Sequence, residues 1–307
     1  MKLEARSSEL GAPSSIELPD PELVRTIVVA ALTEDGAQDD VTTRALVPPK
    51  QQGRGAITAK AGGVVCGLPV AAAAFAALDA SIAFESLMED GALVSAGDVI
   101  ARVTGPLAPI LSAERIALNF LQRLSGIATM TRRMVDAVAG TNARILDTRK
   151  TTPGLRALER YAVRCGGGEN HRFNLSDAML IKDNHLAAAH ERGLIIAQVL
   201  ETARGAAPDK RIEIEVTNLG EALEALDAGA TRLLLDNMSL DEMRRAVELA
   251  QGRAKTEASG GVTLENVRAI AEAGVDFISA GALTHSAPAL DLSLEIEPAS
   301  QRYNHAT

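Results

Sequence analysis

Ala228-Gly229-Ala230-Thr231-Arg232-Leu233-Leu234-Leu235-Asp236-Asn237-Met238-Ser239-Leu240-Asp241-Glu242 decides how the second half of this 307-residue chain folds. A glycine turn leads into an apolar run too short for a helix, which reads as a buried strand. Two polar residues end the run, and Ser239 with Glu242 forms a capping box that opens a helix. Leu240, Met243, Val247 and Ala250 then share one helical stripe. Strand, turn and helix in that order make half of a parallel crossover unit. The grammar returns at Ala273-Gly274-Val275 and Phe277-Ile278-Ser279-Ala280-Gly281, where aligning Gly229 with Gly274 sets Asp236 opposite Gly281.

Working outward, strand-like runs at Arg144–Asp147, Ala178–Ile181, Glu213–Val216, Arg232–Leu235, Ala254–Ala258 and Phe277–Ala280 alternate with helical segments. Repeated strand–helix units force a parallel sheet with right-handed crossovers. The expected closure is an α/β barrel, complete or incomplete, with its active site at the C-terminal strand ends. Thr152-Pro153 reads as a helix cap followed by proline at the first helical position.

The first half has a different texture. Pro19–Leu32 reads as a helix, after a loose leader over residues 1–20. Short runs at Gly55–Ala59, Val64–Cys66, Ile82–Phe84 and Val99–Val103 surround an Ala-rich helix near Val70–Leu78, which suggests a small α+β unit. Leu111–Ala139 is helical in pattern, with an expected break at Ser125-Gly126.

Composition narrows the function. A formal charge of −9 and an aromatic content of 2% argue against a nucleic-acid binder, which needs clustered cations and stacking platforms. Two cysteines, no signal-peptide core and no long apolar span point to a cytoplasmic protein that is not embedded in a membrane. The average charge hides a local reversal. From Arg144 to Asp183, eight Lys and Arg face five carboxylates, a net +3.

The strand ends are sorted by chemical type. Asp147-Thr148-Arg149-Lys150-Thr151-Thr152 follows the first strand and Lys182-Asp183-Asn184-His185 the second. Glu213-Ile214-Glu215-Val216 and Asp236-Asn237 bring carboxylates, and Ser259-Gly260-Gly261 and Gly281 bring glycines. Arg149, Lys150, His171, Arg172 and Lys182 suit a small, multiply anionic ligand, since Arg grips carboxylates bidentately. The glycines suit a phosphate cradle or simply a tight turn. Glu215 and Asp236 suit Mg²⁺, or ion pairs with the cations. Arg156, Arg160 and Arg164 recur every four residues, so at least two are expected on a solvated face, with Leu155, Leu158 and Ala162 buried. Cys165 reads as a packed thiol. His185 and His190, five apart, lack the spacing that puts two zinc ligands on one helix face.

These residues, together with Glu114–Asn119, Gln122–Thr129, Asp147–Gly154, Gly166–Arg172, Ile181–His185, Leu235–Met238 and Ser259–Gly261, resemble the quinolinate phosphoribosyltransferase family over roughly residues 20–297. The resemblance implies a small N-terminal α/β sandwich over residues 1–125 and an incomplete parallel TIM-like barrel over 126–288. A C-terminal segment, 289–307, would return to the first domain through a strand near Asp291–Glu295. It implies Mg²⁺-dependent transfer of phosphoribose from phosphoribosyl pyrophosphate to quinolinate with loss of CO₂, within NAD biosynthesis, by a homodimer.

By the same resemblance, Arg149, His171 and Arg172, joined by Arg115 of the neighbouring subunit, bind the dicarboxylate. Lys150 and Lys182 lie between the two anions, Glu215 and Asp236 serve the metal and ribose, and Ser259, Gly260, Gly261 and Gly281 hold the 5′-phosphate. One departure is Asp39, where the family usually has glycine, which bears on the local turn. Three other readings stay open: a related transferase acting on nicotinate or another acid, a Schiff-base enzyme using Lys150 or Lys182, and a barrel that only binds polyanions.

Overall fold

A computed structural model describes residues 16–297. Most of the expected leader and residues 298–307 therefore lie outside the described residues. The chain begins with α1 (Pro21–Glu34), capped by Asp20 with proline at its start, and α2 (Val41–Leu46), capped by Asp40. There follow β1 (Gln52–Ala59), β2 (Gly63–Val64), α3 (Leu68–Leu78), β3 (Ala83–Ser86), β4 (Leu93–Val94), β5 (Val99–Pro106) and α4 (Leu107–Ala137). The second half comprises β6 (Arg144–Leu146), α5 (Arg156–Cys165), β7 (Met179–Ile181), α6 (Asp183–His190), α7 (Ile196–Ala206), β8 (Ile212–Val216) and α8 (Leu219–Asp227). It ends with β9 (Arg232–Asp236), α9 (Leu240–Ala250), β10 (Lys255–Ser259), α10 (Val267–Glu272), β11 (Phe277–Ser279), α11 (Ala282–His285) and β12 (Leu292–Glu297).

The six second-half strands form one parallel sheet, β6-β11-β10-β9-β8-β7. Their order follows from consecutive right-handed crossovers, with β6 inserted beside the last strand. β6 and β7 stand at opposite edges, so the barrel is incomplete. Of the first-half strands, β2 pairs separately with β4, and β1, β5 and β3 join an antiparallel sheet of order β12-β1-β5-β3. β12 returns to it after the barrel, pairing Ala59 with Leu292 through to Arg54 with Glu297, as the expected C-terminal strand does.

The core is aliphatic, as the composition dictates. Phe75 and Phe84 supply a stacked aromatic pair with ring centroids 5.9 Å apart.

Three local expectations are corrected. α4 runs unbroken through Ser125-Gly126. Ser125 is buried and uses its Oγ to accept the Cys66 N–H at 2.9 Å. A Cβ on Gly126 would stand 2.2 Å from the Pro288 carbonyl oxygen, so glycine is there to let a distant loop approach. α5 starts at Arg156, not at Pro153, because Thr152 is spent elsewhere: its N–H and hydroxyl donate to the buried Glu159 carboxylate at 3.0 and 2.8 Å. The Arg156, Arg160, Arg164 stripe is not a solvated face. Arg160 pairs with buried Asp147 at 3.4 Å and donates to the His171 carbonyl at 2.7 Å. Arg156 reaches Thr151 and the Phe173 carbonyl, and Arg164 the Glu17 carbonyl.

Asp39 costs the turn nothing. Gly36 takes the left-handed conformation at φ 64°, and Asp39 sits in the following 3₁₀ turn and pairs with Arg44 at 2.9 Å.

Candidate active site

A cleft of about 840 Å³ opens at the C-terminal ends of the parallel strands. Parallel strands end in unpaired backbone, and the loops that follow carry the polar side chains. The loop after β6 brings Arg149 and Lys150 to the wall, and the segment before β7 brings His171 and Arg172. Lys182 follows β7, Glu215 lies near the end of β8, and Asp236 ends β9. Ser259, Gly260, Gly261 and Gly281 close the far side. Arg115 is the exception. It is exposed on α4 and does not line the cleft.

Arg149 and Arg172 make one end strongly positive. Burial, and then the charge of Arg149, push the Arg172 guanidinium below its ordinary value. The Arg149 Nε is buried without a hydrogen-bond partner. Such a donor is costly to leave bare, and an anion would satisfy it. Arg172 Nη1 is anchored on the Ala178 carbonyl at 2.9 Å.

The turn that carries His171 and Arg172 is tied down from beneath. Asp147 is fully buried and accepts the His171 N–H at 2.7 Å and the Asn170 side chain at 2.5 Å. Burial pushes its carboxyl up, while Arg160 and these donors pull it down. Lys150 is placed by its carbonyl, which accepts the Thr284 hydroxyl at 2.8 Å. Its Cδ passes Gly281, where a Cβ would stand 2.9 Å away.

Across the cleft, Lys182 Nζ lies 3.5 Å from Glu215 Oε2. The carboxylates of Glu215 and Asp236 come from neighbouring strands, since β8 and β9 pair Glu215 with Leu234 and Val216 with Leu235. Two hard oxygen donors lining the cleft fit Mg²⁺, which favours one or two carboxylates plus substrate oxygens. Asn237 donates to Asp236 Oδ2 at 2.8 Å and takes a left-handed φ of 52° to do so. Gly260 and Gly261, at φ 93° and 58°, turn the backbone after β10 as a side chain would not readily allow.

His185 Nδ1 accepts the Lys182 N–H at 2.9 Å at the start of α6. Cys165 is a buried free thiol, close to Cys66 and Asp90 and outside the cleft.

Models of two domains cover the chain in series. The quinolinate phosphoribosyl transferase N-terminal domain matches residues 40–125, and its C-terminal domain matches residues 127–295. The chain belongs to the quinolinate phosphoribosyltransferase family. It is 46% identical over 269 residues to a probable nicotinate-nucleotide pyrophosphorylase [carboxylating] of Synechocystis, covering 86% of this chain and 90% of that one. A Bacillus subtilis protein of the same description is 43% identical over 263 residues, with the same coverage. The crystal structure of NadC from Streptococcus pyogenes superposes with a TM-score of 0.87 at 40% identity, over 92% of this chain and 99% of that chain.

Charges at alternate positions inside strands were the part of the site that strand-end reading missed. Glu213, Arg232 and Glu257 point into the barrel and pair with one another and with His171. Their signal in the sequence was ionisable residues inside otherwise apolar strands, which must be paired when buried.

Proposed function

We infer that this cleft joins quinolinate to phosphoribosyl pyrophosphate, releasing pyrophosphate and CO₂ and forming nicotinate mononucleotide. The observation that carries the reading is the bare Arg149 Nε beside Arg172, two guanidinium groups held together at one end of a cleft whose other end is lined by glycines. Paired cations suit an acceptor with two carboxylates better than one with a single carboxylate, which favours quinolinate over nicotinate.

In this reading Arg149, Arg172 and the His171 turn hold the pyridine dicarboxylate, and Arg115 of a second subunit completes that end in a homodimer. Ser259, Gly260, Gly261 and Gly281 receive the 5′-phosphate. Glu215 and Asp236 hold Mg²⁺ and the ribose hydroxyls, and the ion supplies charge neutralisation to the pyrophosphate when bound. Lys150 and Lys182 neutralise the leaving pyrophosphate from the protein side.

As pyrophosphate leaves, positive charge develops on the ribose, which Glu215 and Asp236 stabilise electrostatically. The ring nitrogen attacks the anomeric carbon. The resulting pyridinium accepts the electron pair released when the adjacent carboxylate departs as CO₂, and a proton then takes its place on the ring. Holding two anions in reacting geometry can contribute up to ~7–11 kcal/mol.

No helix among the described residues is long and apolar enough to cross a membrane, and we place the reaction in the cytoplasm. The ion pair of Lys182 with Glu215 speaks against a Schiff base at Lys182. The test is mononucleotide formation from quinolinate and from nicotinate, each with phosphoribosyl pyrophosphate. Turnover of quinolinate alone supports the reading; equal turnover of both rejects the dicarboxylate site.

A further inference from the structure

Beneath the cleft, four buried side chains from separate parts of the chain meet inside the barrel. Glu213 of β8, Arg232 of β9 and Glu257 of β10 come from three adjacent strands, and His171 comes from the segment before β7. Arg232 bridges both carboxylates, with Nε 2.8 Å from Glu213 Oε1 and Nη2 2.5 Å from Glu257 Oε2. Its guanidinium lies over the Phe277 ring, 4.1 Å from the centroid. His171 Nε2 stands 3.1 Å from Glu213 Oε2 and 3.4 Å from Glu257 Oε1.

The tautomer follows from the opposite nitrogen. His171 Nδ1 accepts the Arg172 N–H at 2.7 Å and so carries no proton. The ring proton sits on Nε2 and points between the two carboxylates. Both ring nitrogens are therefore engaged within the protein. What the ring offers the cleft is position: it holds the backbone of Arg172, one of the two guanidinium groups at the positive end.

We propose that Glu257 is a positioning residue of the pyridine-acid subsite: with Glu213 it fixes the His171 ring from below, and the ring fixes the backbone from which Arg172 reaches the cleft. This rests on the assignment of Arg172 to that subsite. Glu257 is the informative member of the pair because it lines the cleft and its Oε1 is buried without a hydrogen-bond partner. Burial and then the neighbouring Glu213 charge push the Glu257 carboxyl up.

The effect should be specific to one substrate. Glu257→Ala frees the imidazole on one side and loosens Arg172, while the phosphate and ribose side of the cleft keeps its contacts. Glu257→Gln keeps an uncharged oxygen on Arg232 and most of the restraint.

The experiment measures quinolinate binding by calorimetry and the KM for each substrate, using the full chain with Glu257→Ala, Glu257→Gln and Arg172→Ala. We expect Glu257→Ala to weaken quinolinate about tenfold, which corresponds to ~1.4 kcal/mol. Its KM for phosphoribosyl pyrophosphate should stay within about twofold, since nothing on that side has moved. Glu257→Gln should bind quinolinate within about threefold of the parent, and Arg172→Ala should lose more than Glu257→Ala. Parent-like quinolinate binding by Arg172→Ala overturns the subsite assignment itself. Loss in Arg172→Ala with parent-like binding by Glu257→Ala overturns the role of Glu257 alone. Equal weakening of both substrates in both Glu257 variants also overturns it, because that pattern is general loss of structure.

Discussion

The side chain of Asn237 occupies the space where Gly260 would carry a Cβ: that atom would stand 2.2 Å from the Asn237 Oδ1. The same amide donates to Asp236 at 2.8 Å, and the Asn237 backbone N–H donates to the Ser259 carbonyl at 2.9 Å. One residue thus joins the carboxylate end of β9 to the glycine turn after β10. The end of β9 and the turn after β10 are thereby tied together.

Gly260→Ala should therefore weaken phosphoribosyl pyrophosphate and spare quinolinate. The new methyl expels Asn237 from its place and must itself adopt φ 93°, a strain of about 1–3 kcal/mol. We expect a rise of about tenfold or more in the KM for phosphoribosyl pyrophosphate, which corresponds to ~1.4 kcal/mol of lost binding. An unchanged KM would separate Asn237 from the phosphate turn.

Glu159 should matter for stability before it matters for chemistry. It is fully buried, accepts Arg123 at 2.8 Å and holds both polar groups of Thr152, just beyond Lys150. Glu159→Ala leaves the Arg123 charge and the Thr152 N–H without their partner, at a cost on the order of 3 kcal/mol. Urea unfolding checks this, and a loss below about 1 kcal/mol would contradict the pairing.

Glu257→Gln should stabilise the protein in a pH-dependent way. The Glu257 carboxyl is raised above its ordinary 4.5 by burial and Glu213, against His171 and Arg232. Its native form therefore binds a proton that the unfolded chain releases, so its contribution is fully present below pH 4.5 and is lost as pH rises through the folded value. The glutamine variant escapes that loss. Its Tm should match the parent near pH 4 and exceed it at pH 8. A variant less stable than the parent at pH 8 would place a charged carboxylate at this position.

Removing Mg²⁺ should stop transfer and leave quinolinate binding intact. The carboxylates that suit the ion, Glu215 and Asp236, come from β8 and β9, whereas Arg149 and Arg172 come from the segments after β6 and before β7. Calorimetry with quinolinate in excess chelator is the check, and a loss of binding would move the ion to the acid subsite.

The proposed sharing of the site between two subunits is tested at Arg115. It is exposed on α4 and lies off the cleft of its own chain. Lys150→Ala and Arg115→Ala should each be nearly inactive, and mixing them should restore part of the activity, since a mixed dimer carries one intact site. Failure to complement would assign Arg115 to something other than the neighbouring cleft.

The strand ends were legible because their signals are local. An apolar run stops, a charged or glycine residue follows, and parallel topology brings those stops to one rim, as Lys182, Asp236 and Ser259 illustrate. The capping box at Ser239 and Glu242 was legible for the same reason. What stayed hidden depends on partners far along the chain. Gly126 looks like a helix breaker until Pro288 is placed against it. Arg160 looks solvated until Asp147 and the His171 carbonyl fold over it. Glu213, Arg232 and Glu257 are charges inside strands, and only the register of three paired strands turns them into one cluster.

The central claim is that one cleft couples ribosyl transfer to loss of a carboxylate. The direct measurement uses quinolinate labelled in its 2-carboxylate and follows labelled CO₂ beside pyrophosphate. The account expects the two in equal amounts, and no CO₂ when either phosphoribosyl pyrophosphate or Mg²⁺ is left out. Release of CO₂ without the ribosyl donor, or pyrophosphate formed without CO₂, would contradict it.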